Sequence, residues 1–377
     1  MNERIEIAKP LFDDCEERAV LAVLRSGWVS QGTKVAEFEQ VFADYVGARH
    51  AIATTSCTTA LHMSLAALGV GSGDEVIVPS LSFIATANVV VHCGATPVFV
   101  DIDPRTCNID PLRIPSAITD KTKAVIPVHQ MGLPADIDAI QDIADRHGLH
   151  IIEDAACAIG SAYKGKRIGG HGNLACFSFH PRKIITMGEG GMVTTDDAEL
   201  TAKLRRMRHH GMSVSDLERH GSKKVVIEEY LEIGYNYRMT DIQAAVGIEQ
   251  LRKLPFILER RKHIADLYSA GLHGIPVLRA QFNPDYAQHN FQSYSIEIAP
   301  DARYSRDQML QMLLDQDISC RRGVMAIHTE QCYKNYPAYS LPVTEKISSQ
   351  SLLLPIHPLL PDADVHRIID AIRNMLC

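Results

Sequence analysis

A single lysine, Lys183, stands between a strand-like apolar run ending at Ser178 and a glycine cluster, in the stretch "SFHPRKIITMGEGGM" (178–192). Most loop lysines are solvated cations with no chemical role. A lysine framed by a strand-end serine and a tight glycine hairpin is instead suited to forming a Schiff base with an aldehyde. The attacking amine must be neutral, and free lysine has a pKa of about 10.4, so such a site has to lower it by burial or nearby positive charge. The glycines of "GEGG" (188–191) would let backbone approach a flat cofactor where side chains would clash.

Asp154 is the second residue of interest. The run "IIEDAA" places it at the carboxyl end of a strand, where open α/β sheets bind ligands. There it either caps the following turn or faces a cationic partner as a buried carboxylate. A third element is "ATTSCTTAL" (53–61), a strand end, a small polar turn and a helix start. Backbone amides at that helix N-terminus, with the hydroxyls of Ser56, Thr58 and Thr59, make either an anion site or a simple cap. Two look-alikes fail. "GSAYKGK" (160–166) is followed by Arg167 where a P-loop needs Ser or Thr, and its flanks read as a polar hairpin. "GVGSG" (69–73) precedes a strand rather than a helix, so it is a turn and not a dinucleotide fingerprint.

Elements able to position these residues recur between 50 and 195. Short apolar, β-branched runs at 50–54, 75–80, 96–102, 123–129, 150–155, 175–179 and 191–195 read as strands, several of them covered on both faces. Helical patterns at 58–69 and 136–148 lie between the earlier ones. This alternation predicts a mostly parallel sheet with right-handed crossovers. Beyond Thr195 the pattern turns helical, at 197–211, at 239–254 and in a long stretch over 254–274. A strand-like 292–298 then mixes with amphipathic helices at 305–317 and 362–376. The segment 215–226 reads as a mobile loop. A large α/β domain over 1–254 and a smaller α+β domain over 255–377 are expected.

Composition narrows the function classes. The 377 residues are 46% hydrophobic and 22% charged, with a net charge of −7. The isoelectric point of about 6.2 advertises no nucleic-acid partner. Apolar runs are strand-sized, so no membrane association is expected, and the N-terminus carries no signal-peptide pattern. The nine cysteines include no C-x-x-C pair, which suggests neither a zinc site nor a disulfide framework, and no metal is expected. A cytoplasmic protein with reduced thiols fits this usage.

Together the landmarks "SGWVSQGTKVAEFEQVFADYVG", "GDEVIVPSLSFIATANVV", "GATPVFVDID", "IIEDAA", "CFSFHPRK", "GEGGMVTT" and "GYNYRMTDIQAA" resemble, in order and over nearly the whole chain, the DegT/DnrJ family of sugar aminotransferases. The resemblance implies the type I aminotransferase fold: a seven-stranded, mostly parallel mixed sheet in a large domain, plus a smaller C-terminal α+β domain. It implies pyridoxal 5′-phosphate (PLP) as cofactor, with Lys183 as its Schiff-base lysine and Asp154 pairing with its pyridinium nitrogen. Ser178, Ser56 and Thr58 match phosphate-binding positions, and Phe83 matches an aromatic that stacks on the ring. Asn236 of "GYNYRM" matches a residue that reaches the phosphate of a neighbouring subunit, which implies a homodimer with shared active sites. Arg238 of the same motif is more a structural residue. Two positions depart from the family pattern. Cys157 replaces glutamine near the cofactor's phenolic oxygen, where a thiol is the poorer hydrogen-bond partner. Cys57 replaces glycine in the phosphate turn, which is neutral if only its backbone amide is used.

A dehydratase branch of the same fold carries histidine in place of the lysine. Counting from Ser178, that position is Lys183, so transamination is favoured. His180 is then either a group on the substrate side or a loop residue. His328, in "RRGVMAIH", lies in a segment used near the sugar, and "ISCRRGVMAIH" (318–328) is similar to the GDP-perosamine synthase branch. The implied activity is transfer of an amino group from L-glutamate to a nucleotide-linked keto-deoxysugar. A cyclitol or other non-nucleotide ketone as acceptor, and a PLP-binding regulatory protein without turnover, are the alternatives.

Overall fold

The computed structural model describes residues 4–214, 219 and 221–376. Residues 215–218 and 220, within the loop expected at 215–226, lie outside that set. The chain opens with helices α1 (Asp14–Ser26) and α2 (Thr33–Val46). It then alternates β1 (His50–Thr54), α3 (Cys57–Ala67), β2 (Glu75–Pro79), α4 (Ala85–His92), β3 (Thr96–Val100), β4 (Thr122–Val125), α5 (Ile137–His147) and β5 (His150–Asp154). The short β6 (Ala162–Tyr163) and β7 (Lys166–Arg167) form the polar hairpin expected of "GSAYKGK". After them come β8 (Leu174–Ser178), β9 (Gly191–Thr195) and α6 (Ala198–Met207).

The predicted strands all form, and they assemble into one seven-stranded sheet in the order β1-β9-β8-β5-β4-β2-β3. β9 runs antiparallel to both its neighbours. The remaining pairs are parallel. A parallel return needs a crossover, usually a helix. The link from 179 to 190 contains none, so β9 turns straight back beside β8. Both faces of the sheet are covered, which explains strands that are apolar throughout rather than alternating. On one face Phe38, Phe42, Phe177 and Phe179 pack edge to face, with ring centroids 5.0–5.9 Å apart. Each such pair contributes about 0.5–1.5 kcal/mol beyond its buried area.

The two helical patterns expected at 239–254 and 254–274 are one helix, α7 (Asp241–Gly271), which runs straight through Pro255. An interior proline forfeits one backbone hydrogen bond and crowds the carbonyl four residues earlier. Packing at both ends outweighs that cost. Ala244, Ile248, Leu251, Leu254 and Ile257 join the core beneath the sheet. Ile264, Ala265 and Tyr268 join a second core with the C-terminal residues.

That second core surrounds β10 (Leu278–Ala280), β12 (Tyr294–Ile298), β13 (Arg321–Arg322) and β14 (Ser351–Leu354), with β11 (Ala287–Gln288) pairing instead with β6. The four form an antiparallel sheet in the order β10-β12-β14-β13. Helices α8 (Arg306–Leu314), α9 (Pro342–Gln350) and α10 (Asp362–Leu376) complete this region. The extreme N-terminus also belongs to it. Ile5 is buried in the same core, and its backbone exchanges hydrogen bonds with Asp317 and Ser319. Among the described residues, no helix is long and apolar enough to cross a membrane.

Candidate active site

The carboxyl ends of β1, β2, β5 and β8 bring the candidate residues together. Asp154 ends β5 and is 6% exposed. Its Oδ2 accepts from the Thr86 hydroxyl at 2.8 Å, and its Oδ1 accepts from the Ala156 amide at 3.2 Å. The Thr86 oxygen is itself 2.7 Å from the Ser82 hydroxyl, and the Thr86 amide donates to the Phe83 carbonyl. Both partners of the carboxylate are neutral, and among the described residues no lysine, arginine or histidine pairs with it. A buried carboxylate held only by neutral donors has room for a cationic partner, and its bond to the Ala156 amide also caps the turn.

The turn from β8 to β9 carries Lys183. Its amide donates to the His180 carbonyl at 2.8 Å, closing a tight turn after Pro181. Its Nζ lies 3.2 Å from Cys157 Sγ, so the amine hangs over the loop that follows Asp154. Burial pulls the amine's pKa down, but the neighbouring Cys157 sulfur, then Cys57 and Asp154, outweigh it, and the net shift is upward. The expectation that the site lowers this pKa is thus met by burial alone and reversed by the sulfur.

The turn after β1 leads into the N-terminus of α3, where free amides suit an anion. Ser56 caps α3: its Oγ accepts from the Thr59 amide, while the Thr59 hydroxyl accepts from the Ser56 amide. The amides of Cys57 and Thr58 are the first of the helix and take no partner within it. Cys57 turns its buried thiol away, to the Cys176 carbonyl at 3.3 Å, so only its backbone is offered to a ligand. Gly191 explains the close fit of this turn. A Cβ there would meet the Ser56 backbone at 2.3 Å. The glycine thus serves the approach of β9 to the turn after β1. Ser178, across on β8, accepts weakly from the His180 amide at 3.4 Å and remains partly exposed.

Phe83 leaves 59% of its surface open beside the Thr86–Asp154 pair, unusual for a phenylalanine. The residues present therefore fit PLP: a cradle for a phosphate, an unpaired carboxylate for a protonated ring nitrogen, an open aromatic face and an amine for the aldehyde.

The remaining candidates sit differently. His180 is half-buried and accepts the Arg182 amide on Nδ1, and burial lowers its pKa so that the ring stays neutral. His328 lies at the end of β2, but both ring nitrogens are engaged, Nδ1 with Ser80 at 2.6 Å and Nε2 with Glu345 at 3.3 Å. It reaches a substrate only if one of these contacts opens. Asn236 is exposed on a segment anchored to its own chain by Thr55 N–H to Tyr237 O (3.1 Å) and Tyr237 OH to His62 (3.1 Å). Arg238 is engaged internally, 2.6 Å from His209 Nδ1.

Sequence reading misses several supporting residues. Thr86 and Ser82 lie in a run that reads as an ordinary helix start. Asn290, from the C-terminal region, donates to the carbonyls of Cys157 and Ile159, both at 2.8 Å, and Gln292 donates to the Arg182 carbonyl. Behind β5, His129 Nε2 and Glu153 form a buried pair at 2.9 Å. The Ala135 amide donates to His129 Nδ1, which fixes the ring proton on Nε2.

Comparison with known proteins agrees with this geometry. The family model described as the DegT/DnrJ/EryC1/StrS aminotransferase family matches residues 11–373. GDP-perosamine synthase of Caulobacter vibrioides is 42% identical over 99% of this chain and 98% of its own. The spore coat polysaccharide biosynthesis protein SpsC of Bacillus subtilis is 40% identical over 100% and 98%. The PLP-form of Spr1654 from Streptococcus pneumoniae superposes with a TM-score of 0.92, at 29% identity, over 99% of this chain and 100% of that one. The fold is the type I aminotransferase fold, and the protein is a PLP-dependent aminotransferase belonging to the DegT/DnrJ/EryC1/StrS family.

Proposed function

We propose that the enzyme moves an amino group from L-glutamate to a nucleotide-linked keto-deoxysugar, working in the cytoplasm as a homodimer with shared active sites. The observation that carries this reading is the convergence of the Lys183 amine, the unpaired Asp154 carboxylate and the α3 anion cradle at one end of the sheet. Identity to GDP-perosamine synthase supports a nucleotide-bearing acceptor.

When bound, PLP supplies an electron sink for the bond broken at the substrate carbon. The chain's own groups do the rest. Asp154 keeps a proton on the ring nitrogen, and Thr86 keeps Asp154 aimed. The Cys57 and Thr58 amides, with the hydroxyls of Ser56, Thr58 and Ser178, would hold the phosphate. Phe83 would shield the ring from water. Lys183 Nζ would hold the aldehyde end and, when free, would move a proton at the substrate carbon. Asn236 is assigned to the phosphate of the neighbouring subunit's site. A neutral His180, its Nδ1 taken by the Arg182 amide, is assigned to donate its Nε2–H to the substrate.

The test is a turnover assay with L-glutamate and a panel of keto-deoxysugars, nucleotide-linked and free, with keto-cyclitols beside them. Formation of 2-oxoglutarate and of an aminated product with nucleotide-linked acceptors is the expected result. Turnover restricted to free ketones would overturn the acceptor assignment. A PLP-loaded protein inert toward all of them would overturn the enzyme reading of this chain.

A further inference from the structure

Cys157 and Lys183 form a pair whose geometry does more than tune a cofactor. The sulfur and the amine nitrogen are 3.2 Å apart, from the loop after β5 and the turn after β8. The Cys157 thiol is half-buried, unlike the fully enclosed Cys57 and Cys176. Its backbone carbonyl is held by Asn290 at 2.8 Å, so the loop beneath it is fixed. Cys57, the nearest alternative thiol in the pocket, points instead at the Cys176 carbonyl. An accessible thiol whose nearest nucleophile is an amine, already at contact distance, has a distinct oxidative outcome.

We infer that Cys157 is an oxidative modification site: hydrogen peroxide converts it to a sulfenic acid, which Lys183 captures as a reversible sulfur–nitrogen link. In the first step the sulfur attacks one peroxide oxygen, the O–O bond breaks, and the departing hydroxide takes the thiol proton as water. In the second the Lys183 lone pair attacks the sulfur, the S–O bond breaks, and hydroxide leaves with a proton from the nitrogen as a second water. Sulfur is oxidised and peroxide is reduced, and the protein ends two hydrogen atoms lighter. Added thiol reverses the link by attacking the sulfur, returning the amine and then, through a second thiol, the free cysteine.

The second step needs a neutral amine, and burial of Lys183 favours that form. The link itself rests on the geometry of the pair alone. That it silences the enzyme rests on the role proposed above for Lys183.

The test exposes the full-length protein, freed of PLP so that the Lys183 amine is available, to graded hydrogen peroxide and follows it by intact mass and peptide mapping. Expected is a species lighter by two hydrogens, with one cross-linked peptide joining 157 to 183, restored by dithiothreitol. Cys157→Ser loses this species, and Lys183→Met yields a Cys157 sulfenic acid trapped by dimedone. A Cys57–Cys157 disulfide in its place, or Cys157 that stays reduced or proceeds to sulfinic acid without a link, overturns the inference. A link that forms while PLP capture survives would instead overturn the role of Lys183, so the two failures are distinguishable.

Discussion

The Thr86 hydroxyl lies 2.8 Å from Asp154 Oδ2, and Thr86 has no solvent exposure. This threonine sits in the first turn of α4, so the helix that follows β2 aims the carboxylate that ends β5. A hydrogen bond to a charged group contributes about 1.5–3 kcal/mol, roughly one to two factors of ten.

Replacing Thr86 by valine keeps the shape and deletes the hydroxyl. Activity is expected to fall by about ten- to a hundredfold, following that range. Thr86→Ser should restore most of it, because serine returns the hydroxyl. Steady-state kcat and KM on the three proteins check this, and a valine variant as active as wild type would contradict the relay.

Cys157→Ser removes the main group raising the Lys183 pKa and leaves burial, which lowers it. The amine must be neutral to capture an aldehyde. The rate of PLP capture by cofactor-stripped protein, followed against pH, should therefore have its acid limb shifted to lower pH in the variant. An unshifted limb would show that the sulfur does not control the amine.

A Cβ at position 191 would lie 2.3 Å from the Ser56 carbonyl carbon and oxygen. Gly191→Ala must push β9 away from the phosphate turn. PLP affinity should drop at least about tenfold, with a melting temperature lowered by a few degrees, as for other backbone overpacking of about 1–3 kcal/mol. Equilibrium dialysis with PLP and a thermal melt report the two effects separately.

His289 is buried, and burial depresses its pKa to about 3. Its Nδ1 accepts from the Phe291 amide at 2.8 Å, so protonation would set one N–H against another. The unfolded chain binds this proton near pH 6.5 and the folded chain does not. The group's contribution is present above pH 6.5 and is lost as pH falls toward 3. Melting temperature should decline over that window, and a His289→Gln variant should decline less steeply.

The two residues assigned to the chemistry are readable in sequence because their signals are local. Lys183 is framed by a strand end and glycines, and Asp154 closes an apolar strand. Thr86 is not readable, because a threonine in "FIATANVV" looks like any helix start and its partner lies 68 residues away. The reading of 239–254 and 254–274 as two stretches fails for a different reason. Proline is a strong local stop signal, but α7 is held by two separate cores, and packing overrides propensity there. Helix α1 does carry a readable signal, Asp13 and Glu16 forming a reciprocal capping box. The glycines of "GEGG" point to a close approach, and Gly191 makes one, against the Ser56 backbone.

The central claim is that Lys183 is the residue that holds PLP. Its most direct test is borohydride reduction of the PLP-loaded protein, followed by peptide mapping. The account predicts a single pyridoxyl group on Lys183, and none in Lys183→Ala. A pyridoxyl group on another lysine, or a Lys183→Ala protein labelled as fully as wild type, would contradict it.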